Sequence, residues 1–244
     1  MRPRRIIVNA DDFGMSAEVN RAIVEGFEKG VISSTTLMAN MPSFEEACEL
    51  ANSHNLLGKI GVHLNLTEGR PLSGPIQRLP LFCDKMGLFR PRQTLFRILR
   101  EEMRAVEVEF AAQIQTCMDR GIRPTHLDSH QHVHTEWAIG AAAIRVARRF
   151  GIRAIRLSRN CGPGIDWVHK TYKAAYNTRL RIYGLAKTQY FGSARDVLTV
   201  LATTRDDVEV MVHLGEGNAG NIANCGDGIG IERWVLQDRP TSYA

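Results

Sequence analysis

Four of the chain's eight histidines, His126, His130, His132 and His134, fall within nine residues, in the run Thr-His-Leu-Asp-Ser-His-Gln-His-Val-His from Thr125 to His134. Imidazole is the commonest side-chain metal ligand and titrates near neutral pH, so such a run suits a metal centre or a proton-transfer site. On strand alternation His126, Asp128, His130, His132 and His134 share one face, spread over roughly 26 Å at ~3.3 Å per residue. One ion with bonds of about 2 Å cannot gather them all from a straight strand. The strand must therefore end near Asp128 or His130, with the later histidines in a turn or first helical turn. If helical, His130 and His134 would share a face at i, i+4 spacing. Which histidine binds metal stays open at this level, and further ligands must come from elsewhere.

Three other places offer them. Asp11 and Asp12 follow the apolar run Arg5 to Asn9. In extended backbone adjacent side chains point to opposite sides, so one carboxylate could hold a metal while the other faces a water. The pair equally suits a helix N-cap. His63 lies in an apolar strand whose other face is Gly61, His63, Asn65 and Thr67, a make-up fit for a cleft; a hydrogen-bonded core histidine is the plainer alternative. His213 ends a predicted strand, where it could protonate a leaving group or bond to a loop. An Asp and two His converging on a divalent ion would leave positions for water and a carbonyl oxygen, with a free carboxylate as base. That is amide or ester hydrolysis. The run Gly226 to Gly230 superficially matches a dinucleotide loop but lacks the strand and helix that loop requires.

The elements that must position these groups read as an α/β pattern. Strands are expected over 5–9, 31–38, 59–66, 153–157 and 207–214. Helices are expected from the Ser16 cap to Gly30, over 44–51, 94–105, 107–119, 137–150 and 167–186, with a long functional loop over 67–93. Alternating strands and helices imply parallel strands with right-handed crossovers. In such folds catalytic groups sit at the C-terminal ends of strands. Asp11-Asp12, His63, Asp128-His130 and His213 all fall at or near such ends.

Composition bounds the rest. With 244 residues, 44% of them hydrophobic and 23% charged, the chain can bury a full core, and one domain over 1–244 is expected. No apolar run approaches the ~20 residues of a membrane span, and the basic start leads into a run too short for a secretion signal. Five scattered cysteines without a CxxC fit reduced thiols, so a soluble cytoplasmic protein is expected. The net charge of +5 leaves nucleic-acid binding through Arg145, Arg148, Arg149, Arg153 and Arg156 as an alternative, without a recognisable motif or interleaved aromatics.

Four stretches resemble the YdjC-like (ChbG-type) carbohydrate deacetylases: Ile7 to Ser16, Val31 to Asn40, Gly61 to Leu72 and Pro124 to His134. The resemblance implies a modified (β/α) barrel of mostly parallel strands, related to polysaccharide deacetylases and usually dimeric. It implies removal of N-acetyl groups from amino sugars such as chitobiose-type oligosaccharides, with one divalent ion, Mg2+ or Zn2+. Carried over by position, Asp12, His63 and His130 would hold the metal, Asp11 would be the base and His213 the general acid. His132 and His134 would lie close to the substrate, and Asn65 and Arg156 complete the expected contacts. Neither nucleic acid nor membrane is an expected partner; other metal-dependent barrel hydrolases, phosphoesterases or amidohydrolases, are the rival. The chain departs from the family pattern at Leu214, where proline often follows the late histidine, and at Ser158, where proline is expected after Arg156-Leu157.

Overall fold

The computed structural model describes residues 4–92, 95, 97–216, 222–224 and 241–243. Six strands form one sheet: β1 (Ile6–Phe13), β2 (Ser34–Leu37), β3 (Ile60–Leu64), β4 (Leu127–Ser129), β5 (Tyr190–Ser193) and β6 (Val208–Val212). Their order is β4-β3-β2-β1-β6-β5. Every ladder is parallel. The sheet curls into an incomplete barrel, the α/β architecture expected. Between its edges β4 and β5 runs the segment 155–160. Arg156 N–H donates to Leu127 O on one side and Asn160 N–H to Phe191 O on the other. The strand expected over 153–157 is therefore a single bridge, Leu127 to Ile155, on the β4 edge, and the bond from Asn160 ties the segment to β5.

Parallel neighbours need crossovers, and helices supply them. α1 (Ala17–Glu28) starts where Ser16 Oγ accepts Val19 N–H, and turns out past Gly30 at φ +69°, a conformation glycine adopts without penalty. α2 (Phe44–Ser53) joins β2 to β3. The expected loop after β3 contains the single-turn α3 (Gly74–Gln77), and the two helices expected over 94–119 are one, α4 (Arg100–Asp119). α5 (Trp137–Arg149) and α6 (Trp167–Ile182) follow the histidine run. α7 (Ala194–Leu201) and β5 before it escaped the sequence reading. β7 (Leu214–Glu216) and β8 (Ile222–Asn224) form a separate antiparallel pair.

The strands alternate so that Ile6, Val8 and Ala10 of β1, Ile60, Val62 and Leu64 of β3, and Val208, Val210 and Val212 of β6 join the helices in one apolar cluster. Their other face lines the barrel and is polar: Asn9, Asp11, Thr36, His63, Asp128 and Glu209, all buried. At Gly61 a Cβ would lie 2.6 Å from the His126 ring, so the strand takes glycine where that ring fills the barrel floor. Cys48, Cys83, Cys117 and Cys161 are buried free thiols; Cys225 and the Gly226–Gly230 run lie outside the described residues. No helix among the described residues is long and apolar enough to cross a membrane.

Candidate metal centre

The Asp11-Asp12 pair sits on an irregularity. The β1–β2 register shifts between Ala10 and Phe13, and Asp12 has φ +69°. The expectation of plainly extended backbone gives way to a bulge, which bends the strand and re-aims its side chains. Asp is among the few residues that tolerate this region. The bulge turns Asp12 toward the strand ends. Its Oδ1 lies 3.1 Å from His63 Nε2 and 2.9 Å from His130 Nδ1.

The histidine run bends for a similar reason. β4 stops at Ser129, and Gln131 and His132 take positive φ of 50° and 57°. That break cancels the helical pairing of His130 with His134. His130 swings to Asp12, with its Nε2 3.0 Å from Glu68 Oε2. His134 turns the other way, fully buried, its Nδ1 2.6 Å from Ser129 Oγ and its Nε2 3.2 Å from Arg156 O. With both nitrogens engaged, it forms wall rather than substrate face. His132 is the member that borders a cavity of ≈ 290 Å³, shared with Thr135, Arg159, Phe191, Ser193 and Met211. Its Nδ1 is buried without a partner among the described residues.

One arginine ties the barrel interior together. Arg156 is fully buried and gives Nη1 and Nη2 to Asp11 at 2.7 Å each, Nη1 to Asp128 at 2.7 Å and Nε to Glu209 at 2.6 Å. It was expected beside substrate, and counted among surface arginines in the nucleic-acid alternative. The structure spends its guanidinium on three carboxylates instead. Asn65 is likewise internal, its Oδ1 accepting Thr67 and Glu68 N–H groups and its Nδ2 donating to Asn40 and Glu68 O. It shapes the loop that presents Glu68.

The electrostatics follow from this wiring. Burial alone would lower His63, but the Asp128 charge and the hydrogen bonds its ring donates to Asp12 and Asp128 raise it to about 10. Burial would raise Asp12, and its bonds to His130 and His63 outweigh that, holding it well below the carboxylate range. Burial lifts Glu209 above its ordinary value, with Arg156 offsetting only part. Burial drives His126 and His134 down to about 3.

Asp12, His63 and His130 present ligand atoms within 4.8 Å of one another. The set fits a divalent ion on its chemistry. His63 gives Nδ1 to Asp128 Oδ1 at 2.7 Å, and Thr36 Oγ donates to Asp128 Oδ2, so Nε2 is the nitrogen aimed at Asp12. A carboxylate behind an imidazole in this way is the usual support of a metal-bound histidine. A second trio, Asp11, His63 and Asp128, is also close enough. There Arg156 already stands as the cation. His213 Nε2, on a partly exposed side chain, is 4.0 Å from Asp11 Oδ2 and 3.8 Å from Asp12 Oδ2. The five groups expected to act together thus share one rim. Asp128, Glu68 and Glu209 were not assigned to the site. Asp128 stood within the histidine motif, and Glu209 was a charge on the inward face of an otherwise apolar strand.

A family model described as YdjC-like protein matches residues 5–232. The chain belongs to the YdjC-like family. Among curated relatives, a carbohydrate deacetylase of Geobacillus stearothermophilus is 42% identical over 160 residues, covering 64% of this chain and 62% of that protein. One from Brevibacillus brevis is 43% identical over 149 residues, 61% and 57% of the two lengths. These matches span less than two thirds of the relatives' length. A longer match, to a carbohydrate deacetylase of Vibrio campbellii, is 32% identical over 203 residues, 83% of this chain and 78% of that one. A solved structure from Enterococcus faecalis V583, described as a cellobiose-phosphate cleavage protein, superposes with a TM-score of 0.74 at 24% identity over 99% of this chain and 98% of that one. That likeness speaks to the fold.

Proposed function

We propose that this YdjC-type chain is a metal-dependent hydrolase that removes the N-acetyl group of an acetylated amino sugar, of chitobiose-type oligosaccharide or related glycan class. The observation that carries the reading is Asp12 Oδ1 within hydrogen-bond reach of both His63 and His130, with Asp11 and His213 beside it. Asp12, His63 and His130 would hold one divalent ion, Mg2+ or Zn2+; two imidazoles in the set favour zinc. When bound, such an ion supplies a Lewis acid for an amide carbonyl and eases ionisation of the attacking water.

The chain's own groups do the rest. Asp11 is the base. Three of its roughly four acceptor positions are taken, by Arg156 twice and by Asn9, which leaves capacity on Oδ2, the oxygen nearer His213. Arg156 fixes that carboxylate in place. His213 delivers a proton to the departing amine, its Nε2 standing beside Oδ2 of both aspartates. Asp128 and Thr36 hold the His63 ring. His132 is the histidine of the run placed to meet the sugar. The curated deacetylases and the donor set support this reading together. We extend the family resemblance to a homodimer, and the scattered cysteines without a CxxC to a reducing, cytoplasmic setting.

Acetate release from a panel of N-acetylated sugars, with and without chelator, tests the proposal. Wild type should release acetate only with metal, and Asp12→Asn, His63→Ala and Asp11→Asn should each lose at least about 100-fold. Equal release by any of these variants overturns the site. Metal analysis should return one ion per chain. Two would favour the rival phosphoesterase or amidohydrolase reading, against which Arg156 already stands in the second trio.

A further inference from the structure

α6 turns an uncharged side to water. Its inner side is Tyr176, Asn177 and Leu180. On the opposite side, at helical spacing, lie Trp167, Val168, Thr171, Ala175, Thr178 and Ile182, all exposed. Trp167 and Ile182 are each 78% exposed and Val168 54%. A solvated helix face normally carries charge, and an apolar stripe left in water marks an interaction surface. Here the charges within the helix are at the edges and of one sign, the Asp166 cap being paired with His169. Lys170 and Arg181 flank the stripe on one side and Arg179 on the other, and no acidic residue occurs from Trp167 to Lys187. Beyond Arg179, Arg148 and Arg149 of α5, with Arg145 paired to Glu107, join Tyr183 around a groove of ≈ 530 Å³. Arg148 lies 5.8 Å over the Tyr183 ring and Arg179 4.9 Å over the Trp137 ring, so the basic rim is laced with aromatics.

We propose that this face docks on an anionic lipid bilayer, with α6 lying in the interfacial plane. Its stripe enters the boundary between headgroups and acyl chains while the flanking lysine and arginines meet lipid phosphates. Sixteen residues give a contact about 24 Å long. Charge selects the occupant. A second copy set against this face would bring cations against cations across a two-fold axis. A nucleic acid would satisfy the arginines and leave Trp167, Val168 and Ile182 against phosphate. A bilayer satisfies both at once. The expectation of no membrane partner rested on the lack of a spanning segment, which does not bear on a helix that lies on the surface. The face is separate from the proposed deacetylase groups.

Co-sedimentation with phosphatidylglycerol–phosphatidylcholine vesicles, against phosphatidylcholine alone, at low and high salt, tests it. Wild type should sediment with the anionic vesicles, release in high salt, and shift its tryptophan emission to the blue. Val168→Ser/Ile182→Ser should weaken partitioning at least about tenfold. Lys170→Gln/Arg181→Gln should weaken it about fivefold per charge removed. Both variants should keep the wild-type circular dichroism and acetate release from a soluble sugar. The proposal fails if wild type ignores anionic vesicles, or binds neutral ones equally. It also fails if the stripe variants bind as tightly as wild type, if they dissolve a dimer in analytical ultracentrifugation, or if RNA is bound and vesicles are not.

Discussion

Two residues behind the ligands bear most of the site's precision. Asp128→Asn replaces the carboxylate that accepts from His63 Nδ1, so the ring loses its fixed tautomer. Zinc affinity measured by calorimetry should fall about 10- to 100-fold while the fold persists. Arg156→Met is harsher, because Asp11, Asp128 and Glu209 would stay buried without their cation. Chemical denaturation should show a loss of about 3–5 kcal/mol, the usual result of breaking a buried pair from one side. At this scale the sequence was legible where type and spacing spoke. Strand ends pointed to Asp11-Asp12, His63, Asp128-His130 and His213, the family resemblance singled out Asp12, His63 and His130 as ligands, and the fold brings those three together. Arg156 was not legible as a hub. It sits among many arginines, and nothing local distinguishes a guanidinium in the barrel from one in water.

At the scale of elements, the turns carry the information that periodicity lacks. Gly140 lets α5 approach its neighbours: a Cβ there would lie 2.6 Å from Tyr176 Cε2 and 2.7 Å from His134 O. Gly140→Ala should therefore cost about 1–3 kcal/mol by overpacking, read as a drop in melting temperature. Ser158, where the family pattern has proline, gives its N–H to Asn177 Oδ1 at 2.8 Å, and Asn177 Nδ2 returns a bond to Ser158 O. Ser158→Pro removes a buried donor and strands its acceptor, and should cost about 1–3 kcal/mol in a denaturant titration. The departure is thus absorbed by α6. β1, α1, β3, α5 and β6 were legible because apolar residues recur at clear periods. β5 was not, since Tyr-Phe-Gly-Ser neither alternates nor runs apolar, and α7 announces itself only through the Ser193–Asp196 capping box. The bulge at Asp12 and the left-handed Gln131-His132 pair are set by tertiary contacts and leave no mark on the residue types.

For the molecule as a whole, acid is the weak direction. His126 and His134 are fully buried and held near 3, far below the unfolded value of about 6.5. Unfolding lets them take up protons that the native state refuses, so they leave stability untouched above about 6.5 and subtract from it as pH falls below. Each should cost about 1.4 kcal/mol per pH unit in that range. Urea midpoints should fall steadily from about pH 6.5 to 5, ahead of any carboxylate titration. A flat profile would show that the two rings are not held neutral. The Arg156 hub has one more consequence, in the chain's capacity to change by descent. Four positions distant in sequence, 11, 128, 156 and 209, share one charge balance. Once Arg156 is gone, losing Asp128 removes a stranded charge where in the wild type it breaks an ion pair, so their effects should not add. A lineage stepping through single replacements must cross a state with a stranded interior charge, and the four are best regarded as one heritable unit.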